Sequence, residues 1–371
     1  MKLFKKIHVL HVTFVFRHGG TEAFILNNYR HIDRTRYLFD ILTLCPEPSP
    51  FQDEINSLGG RIIYANLQPS MFHFFRFVRG LKQIIQQYGP YDTIHSHINF
   101  ANSMVLYAAK HIGIHTRLSH SHSAGAIVGN AIIKPFRLLQ RYLLVHSATH
   151  LLACGTEAGK ALYGSRKFIV IKNGIDVELF TQKQETIQLR NELSIPTNAR
   201  VYGNISRYDR NKNFTFVIDI FVRILKQHSE SYLILGGQDG DQKSVVKEKI
   251  KQLKIEDKVL ILDARNDLPK LNRVIDSLIF PSYYEGFPIV LLEAQASGLH
   301  IFMSDRISSE VDLGIGLIHT ICISASAEEW ATQILTTDTT TKPSPKSIRN
   351  IFTSSGYDIQ QSAKKLEKIY S

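Results

Sequence analysis

No stretch of eighteen uncharged apolar residues occurs in the 371-residue chain, so no segment reads as a bilayer span. At the start, Lys2, Lys5 and Lys6 precede an apolar stretch, but His8 and His11 interrupt it and no small-residue cleavage site follows. The segment Met1 to Val15 therefore reads as a first buried strand and not as a leader. Cysteine is scarce. Cys45, Cys154 and Cys322 are odd in number and far apart, which excludes a disulfide framework or a zinc knuckle and fits a reducing cytoplasm. Repeats at solenoid spacing are also missing. The most informative shortage is of acid: from Met1 to Asn173 only 8 Asp and Glu stand against 20 Lys and Arg, while the remainder holds 25 against 24. The whole net charge of +11 thus belongs to the first half. Such an excess asks for an anionic partner, and no recognition motif points to nucleic acid, which leaves lipid headgroups or a phosphorylated acceptor.

The chain is long for one core and short for three, so two domains are expected. Short apolar runs alternate with longer amphipathic stretches at Ile7–Phe16, Asp40–Leu44, Thr93–Ser96, His150–Cys154 and Phe168–Ile171. The pattern restarts with Arg200–Ser206, Ser231–Gly236, Lys258–Leu262, Ser277–Pro281 and His300–Ser304, with helices at Asn213–His228, Lys243–Leu253 and Pro288–Ser297. This predicts an α/β chain of two Rossmann-like, doubly wound parallel-sheet domains, with ligand crevices at strand C-termini facing one cleft. The break lies near Asn173–Asn198, giving domains at 1–175 and 176–352 and a C-terminal segment, 353–371, with a final helix at Asp358–Tyr370. Thr336 to Ser347 reads as a loop.

Two basic stretches of the first half combine aromatics with cations. In Met71–Tyr88 the residues Phe74, Val78, Leu81 and Ile85 share one helical face, while Phe72, Phe75, Arg76, Arg79 and Lys82 gather elsewhere. Ile132–Val145 repeats the theme with Lys134, Arg137 and Arg141. Either helix alone could be ordinary core packing with a solvated basic face. The charge asymmetry favours an anionic membrane surface.

The most specific motif runs from Tyr284 to Gly298. Pro288 suits a first helical position and Gly298 the left-handed position after the last turn, so a helix N-terminus follows directly on Glu285 and Gly286. Free amides there can hold a diphosphate or sugar, and Glu285 and Glu293 can each accept from two vicinal hydroxyls. The loop Ser206–Asn213 brings Arg207 and Lys212 to a crevice mouth, where they could neutralise a diphosphate leaving group. Gly236 and Gly237 follow a strand and would admit a nucleotide or phosphate. Gly19 and Gly20 open a helix after the first strand, though not as a G-x-G-x-x-G fingerprint. The pairs His95/His97 and His120/His122 share strand faces, but no third or fourth ligand is apparent and no metal is expected. Asp239-Gly240-Asp241 has a D-x-D form and is read as a loop accident.

Together these residues resemble the retaining GT-B glycosyltransferases of family 4, especially bacterial capsular and exopolysaccharide enzymes. The resemblance spans nearly the whole chain through Gly19–Glu22, Arg117–His122, Ala153–Gly159, Asn173–Asp176, Arg207–Asn213 and Glu285–Pro288. It implies that Arg207 and Lys212 bind the donor diphosphate, Glu285 the transferred sugar and Glu293 the ribose, with contacts from Gly20, Gly237 and Gly286 through Ile289, by way of Phe287 and Pro288. His122, in preference to His120, would touch the sugar, making His122, Glu285, Arg207 and Lys212 the catalytic set. His97, His120, Arg76, Arg79 and Lys82 would serve the acceptor or the membrane. By the same resemblance the first domain takes the acceptor and the second the nucleotide-sugar, and the last helix crosses back toward the first. The donor is a nucleotide-diphosphate sugar and the acceptor a saccharide, polyprenyl-diphosphate-linked or other. No cofactor or metal is needed, anomeric configuration is retained by front-face attack, and the enzyme sits in the cytoplasm on the inner membrane face. Gly155 replaces a usual Ser, and Ser206 a usual Gly, but no charged contact is lost. A catalytically silent GT-B partner protein and a nucleotide-sugar epimerase are the alternatives.

Overall fold

The computed structural model describes residues 6–69, 73–122, 134–182, 186–265, 267–285 and 287–371. They divide into two compact units, Met1–Gly174 with Ile359–Ser371, and Ile175–Asp358.

In the first unit a seven-stranded sheet is built from β1 (Ile7–Thr13), β2 (Tyr37–Thr43), β3 (Arg61–Tyr64), β4 (Thr93–Ser96), β5 (Thr116–Ser121), β6 (His150–Ala153) and β7 (Ile169–Val170). The order is β3-β2-β1-β4-β5-β6-β7 and every pairing is parallel. Order reverses between β1 and β4, the switch point at which doubly wound sheets leave a crevice. Alternation on β1 sorts the core into two faces. Val9 packs with Phe24, Phe39 and Leu366, and Leu10 and Val12 pack with Phe77, Leu81 and Ile94. The helix Ile359–Tyr370 belongs to this unit: Tyr37 Oη donates to the Glu367 carbonyl at 3.0 Å, and the Asp33 N–H donates to the Glu367 carboxylate at 3.0 Å. On the helix Phe74–Tyr88 the expected face packs on the core, Leu81 and Ile85 buried and Phe74 and Val78 partly so, and buried Phe77, which the sequence reading left out, joins it. Phe77 lies between Phe74 and Leu81 at helical spacing, and burying a phenyl stabilises by roughly 1.5–3 kcal/mol. Phe72 lies outside the described residues.

The second unit repeats the plan with β8 (Arg200–Ile205), β9 (Ser231–Gly236), β10 (Val259–Leu262), β11 (Ser277–Phe280), β12 (His300–Ser304) and β13 (Ile318–Ile321). Its order, β10-β9-β8-β11-β12-β13, again reverses beside the first strand of the unit. The β8–β11 ladder is short, pairing only Tyr202 and Gly203 with Ser277 and Leu278. Buried Asn204 extends it, its Nδ2 donating to the Ile279 carbonyl at 2.8 Å. The expected loop Thr336–Ser347 is interrupted at its end. A helix starts at Pro345 because Ser344 Oγ caps it, accepting from the Ser347 N–H at 3.1 Å, with Pro in the first turn.

Candidate active site

The second unit's switch point is flanked by the loop after β8 and the loop after β11, and these two are stitched together. The Tyr283 N–H donates to the Asn211 carbonyl at 2.8 Å, Asn211 Nδ2 donates to the Tyr284 carbonyl at 3.2 Å, and Asn213 Nδ2 donates to the Pro281 carbonyl at 3.2 Å. Asn213 sits in the left-handed region at φ 57°, ψ 40°, a conformation Asn tolerates, and turns the short helical segment Arg210–Lys212 into the helix Phe214–Gln227. The result fixes Lys212 against Glu285. Lys212 Nζ and Glu285 Oε1 form an ion pair whose side chains are 17% and 10% exposed, with the Lys212 ammonium 5.8 Å from the Phe280 ring centre. A cation and a carboxylate held this close in partial shelter offer one group to a phosphate and one to hydroxyls.

Arg207 stands apart from this pair. Its guanidinium is engaged by Asp209 at 2.6 Å and is 58% exposed. Tyr208 anchors the loop from beneath, stacked on Phe214 at 4.5 Å and donating to the Leu235 carbonyl at 2.8 Å.

Gly286 lies outside the described residues. Beyond it, Phe287 stacks on Tyr357 with ring centres 5.4 Å apart. The helix runs Ile289–Ala296, so Pro288 is its N-cap, at ψ 103°, and not its first residue; the extended ψ keeps Pro288 outside the helix. Gly298 takes φ +72°, the left-handed position expected of it. Glu293 lies on this helix, partly exposed, and burial pushes its carboxyl up to about 7. Its carboxylate has no hydrogen-bond or ion-pair partner among the described residues, Lys212 pairing with Glu285 and Arg207 with Asp209. A vicinal diol would supply the missing partners.

Gly237 is also needed by the loop itself. At φ +150°, a Cβ on it would lie 1.9 Å from the Ser206 carbonyl oxygen, so the glycine is required by the protein's own backbone. Gly240 is similarly pressed, its Cβ position 2.3 Å from the Tyr208 carbonyl oxygen. Beside it Asp239 is held by Lys243, which also reaches Asp263 at 2.6 Å, an ordinary surface ion-pair cluster.

In the first unit Gly20 is the first residue of the helix Gly20–His31, with Gly19 as its cap. A Cβ on Gly19 would lie 2.3 Å from Glu22 Oε2. Burial raises the Glu22 carboxyl to about 7, against a hydrogen bond from its own N–H. The two histidine pairs meet a third partner missed in the sequence: His11 on β1, in register with His95 on β4. The expectation that no third or fourth ligand stands near the pairs is thereby corrected, since His11, His95 and His97 converge, as do His97, His120 and His122. His11 Nδ1 lies 2.9 Å from His97 Nε2, and His97 Nδ1 lies 2.8 Å from His122 Nε2. Separately, Tyr370 Oη lies 2.7 Å from His95 Nδ1, and His95 Nε2 lies 3.2 Å from His120 Nδ1. Burial is the first cause that lowers the imidazoles, His11 and His122 to about 3 and His95, His97 and His120 well below their ordinary value, so all five rings are neutral at pH 7. His120 is fully buried, while His122, just past the end of β5, keeps partial exposure.

Of the two basic helices of this unit, the second departs from expectation. Arg76, Arg79 and Lys82 are exposed beside Phe75, itself 86% exposed. On the helix Lys134–Ser147 two cations instead turn inward: Arg137 lies over the Phe100 ring at 5.5 Å, and Arg141 donates to the Ala161 and Leu162 carbonyls at 3.0 Å. Large apolar side chains are exposed there: Phe136, Leu138, Leu139 and Tyr142. Ile132 lies outside the described residues.

Residues 18–179 match the model of Glycosyltransferase Family 4, and residues 185–335 that of Glycosyl transferases group 1. A Bacillus subtilis protein, EpsF, which bears a provisional glycosyltransferase name, is 32% identical over 98% of this chain and 96% of its own. The chain belongs to glycosyltransferase family 4. An Escherichia coli relative, UDP-Gal:alpha-D-GlcNAc-diphosphoundecaprenol alpha-1,3-galactosyltransferase, is 24% identical, covering 81% of this chain and 80% of its own. Anabaena HepE, solved with UDP-glucose, shares the fold at a TM-score of 0.74 and 19% identity, over 98% of this chain and all of its own. The protein is a glycosyltransferase of the two-domain GT-B fold.

Proposed function

We propose that this glycosyltransferase moves a hexose from a nucleotide-diphosphate donor to a saccharide acceptor, polyprenyl-diphosphate-linked or other, in the synthesis of capsular, exopolysaccharide or other cell-surface glycan, with retention and without a metal. The observation that carries the reading is the Lys212–Glu285 pair at the second unit's switch point. Lys212, with Arg207, neutralises the diphosphate, and Glu285 accepts from hydroxyls of the transferred hexose. Glu293 takes the ribose hydroxyls, and the amides at Phe287 to Ile289 with Gly20 complete the grip. His122 touches the sugar. The bond from the anomeric carbon to the diphosphate oxygen breaks with its electron pair on that oxygen. The acceptor oxygen bonds to the same face of the anomeric carbon, and its proton passes to the departing phosphate.

The lipid-linked substrate in the name of the Escherichia coli relative supports this acceptor class. No helix among the described residues is long and apolar enough to cross a membrane. Phe75 with Arg76, Arg79 and Lys82, and the exposed apolar residues Phe136, Leu138, Leu139 and Tyr142, support peripheral docking to an anionic inner membrane face. A panel of nucleotide-sugars with lipid-diphosphate saccharides and excess chelator tests the reading. A new glycosidic bond of donor configuration is expected. Free nucleoside diphosphate without acceptor would instead indicate an epimerase, and no turnover of any donor a silent partner.

A further inference from the structure

Asn211, Asn213 and Lys212 hold the loop after β11 as far as Glu285. Beyond it the chain enters the helix Ile289–Ala296 without a side-chain cap, because Pro288 at the N-cap offers no side-chain acceptor. The first N–H groups of a helix have no partner inside it, and here they are among the amides assigned to the donor. Their placement needs another anchor.

Phe287 directly precedes the N-cap, the position from which an apolar side chain commonly fixes the angle at which a chain enters its helix. Its ring lies on Tyr357 with the planes 9° from parallel and the centres 5.4 Å apart, an offset stack. Tyr357 is itself fixed from two sides. The helix Pro345–Ser354 ends at a left-handed glycine, Gly356 at φ +75°, whose N–H donates to the Thr353 carbonyl at 3.1 Å, while the Tyr357 N–H donates to the Phe352 carbonyl at 2.9 Å. These are the paired bonds of a Schellman motif. On the other side the Tyr357 carbonyl accepts from the Ile175 N–H at 2.9 Å, and Ile175 pairs with Asp358, so the first and last residues of the second unit clasp the tyrosine. Tyr357 is 6% exposed and shares a core cluster with Phe352, Leu291 and Leu292, the last two on the helix that Phe287 precedes.

We propose that Tyr357 is a positioning residue for donor binding: through Phe287 it sets the entry of the helix Ile289–Ala296, and so the amides that meet the diphosphate sugar. The proposal rests on the donor site of the proposed function. Tyr357 acts through Phe287, whose own backbone belongs to that site.

The test reads affinity and stability separately on the full chain. UDP, GDP, ADP and dTDP are titrated by calorimetry, and the one that the wild type binds most tightly serves as the probe. Tyr357→Leu should weaken it about tenfold, and Tyr357→Phe, which keeps the ring, by no more than about twofold. Phe287→Leu should match Tyr357→Leu, and the double variant should bind no more weakly than either, because the two changes remove one contact. Ile334→Ala, in the separate core cluster of Phe221 and Trp330, should lower the melting temperature and leave the affinity as in the wild type. Should Tyr357→Leu fail to fold, Phe287→Leu breaks the same stack from its partly buried side, and hydrogen exchange at the Ile289 and Val290 amides should quicken in it. Probe affinity unchanged in Tyr357→Leu, additive losses in the double variant, or exchange unmoved in Phe287→Leu overturns the proposal alone. A wild type that binds none of the four overturns the functional reading and this proposal with it.

Discussion

The two units share one strand order but fill the switch point with opposite chemistry. In the first, the strands bring five neutral imidazoles to the crossover, all lowered by burial. In the second, the same place holds a charged pair, Lys212 and Glu285, clamped by Asn211 and Asn213. The first half carries the whole positive excess, yet among the described residues the cations Arg76, Arg79, Lys82, Arg137 and Arg141 lie on two of its helices and not on the strands that carry the imidazoles. The fold thus sets where a site forms, and the loop residues decide what it does.

The sharpest way to break this comparison is to neutralise the charged switch point. Glu285→Gln or Lys212→Ala should each lower transfer by about 100-fold or more, the scale of losing one preorganised electrostatic contact, with the melting temperature little changed. Measured turnover near wild type in either would erase the distinction between the units. Next is the glycine beneath the loop. Gly237→Ala drives a Cβ toward the Ser206 carbonyl and should cost about 2–3 kcal/mol in urea unfolding, because the contact is with backbone and cannot relax by a rotamer change.

Acid should separate the units further. The five imidazoles have folded values near 3 or well below 6.5, so between those values and 6.5 the unfolded chain binds more protons and stability falls as pH drops. Glu22 and Glu293, raised to about 7 from 4.5, act with the opposite sign, losing stability as pH rises through that window. Five against two leaves a net gain of stability with pH. Replacing His11 by Phe should flatten that slope by about 1 kcal/mol per pH unit averaged over pH 5 to 7, most at the acid end, checked by urea midpoints across that range. An unchanged slope would mean the imidazoles are already protonated in the folded state. The smallest effect is expected at the outer helices: Phe75→Asp or Leu138→Asp should weaken flotation with anionic vesicles by about tenfold, each removing buried apolar area and adding repulsion. Equal flotation on neutral and anionic vesicles would defeat the membrane assignment.

Much of this was legible in the sequence where a single element carries the signal. Ser231–Gly236, Thr93–Ser96 and His300–Ser304 match their strands because each is buried on both faces and reads as a short run of largely apolar or β-branched residues. The edge strands Arg61–Tyr64 and Ile318–Ile321 escaped notice because an exposed end or a polar residue breaks the run. The site residues were visible as motifs, but their partners were not. His11 looked like an interruption of an apolar strand, since its match with His95 exists only across the sheet. The pressure of the Ser206 carbonyl on Gly237 could not be read from the sequence, because that carbonyl comes from another loop. Arg137 and Arg141 were read as surface cations, and only tertiary contact shows them tied to Phe100 and to the helix end at Ala161 and Leu162.

Calorimetric titration of the full chain with nucleotide-diphosphate hexoses tests the central claim most directly. At least one donor should bind once per chain, and Lys212→Ala and Glu285→Gln should each weaken it at least tenfold, about 1.4 kcal/mol. Donor binding that is unaltered in both variants would contradict the assignment of the Lys212–Glu285 pair to the diphosphate and its sugar.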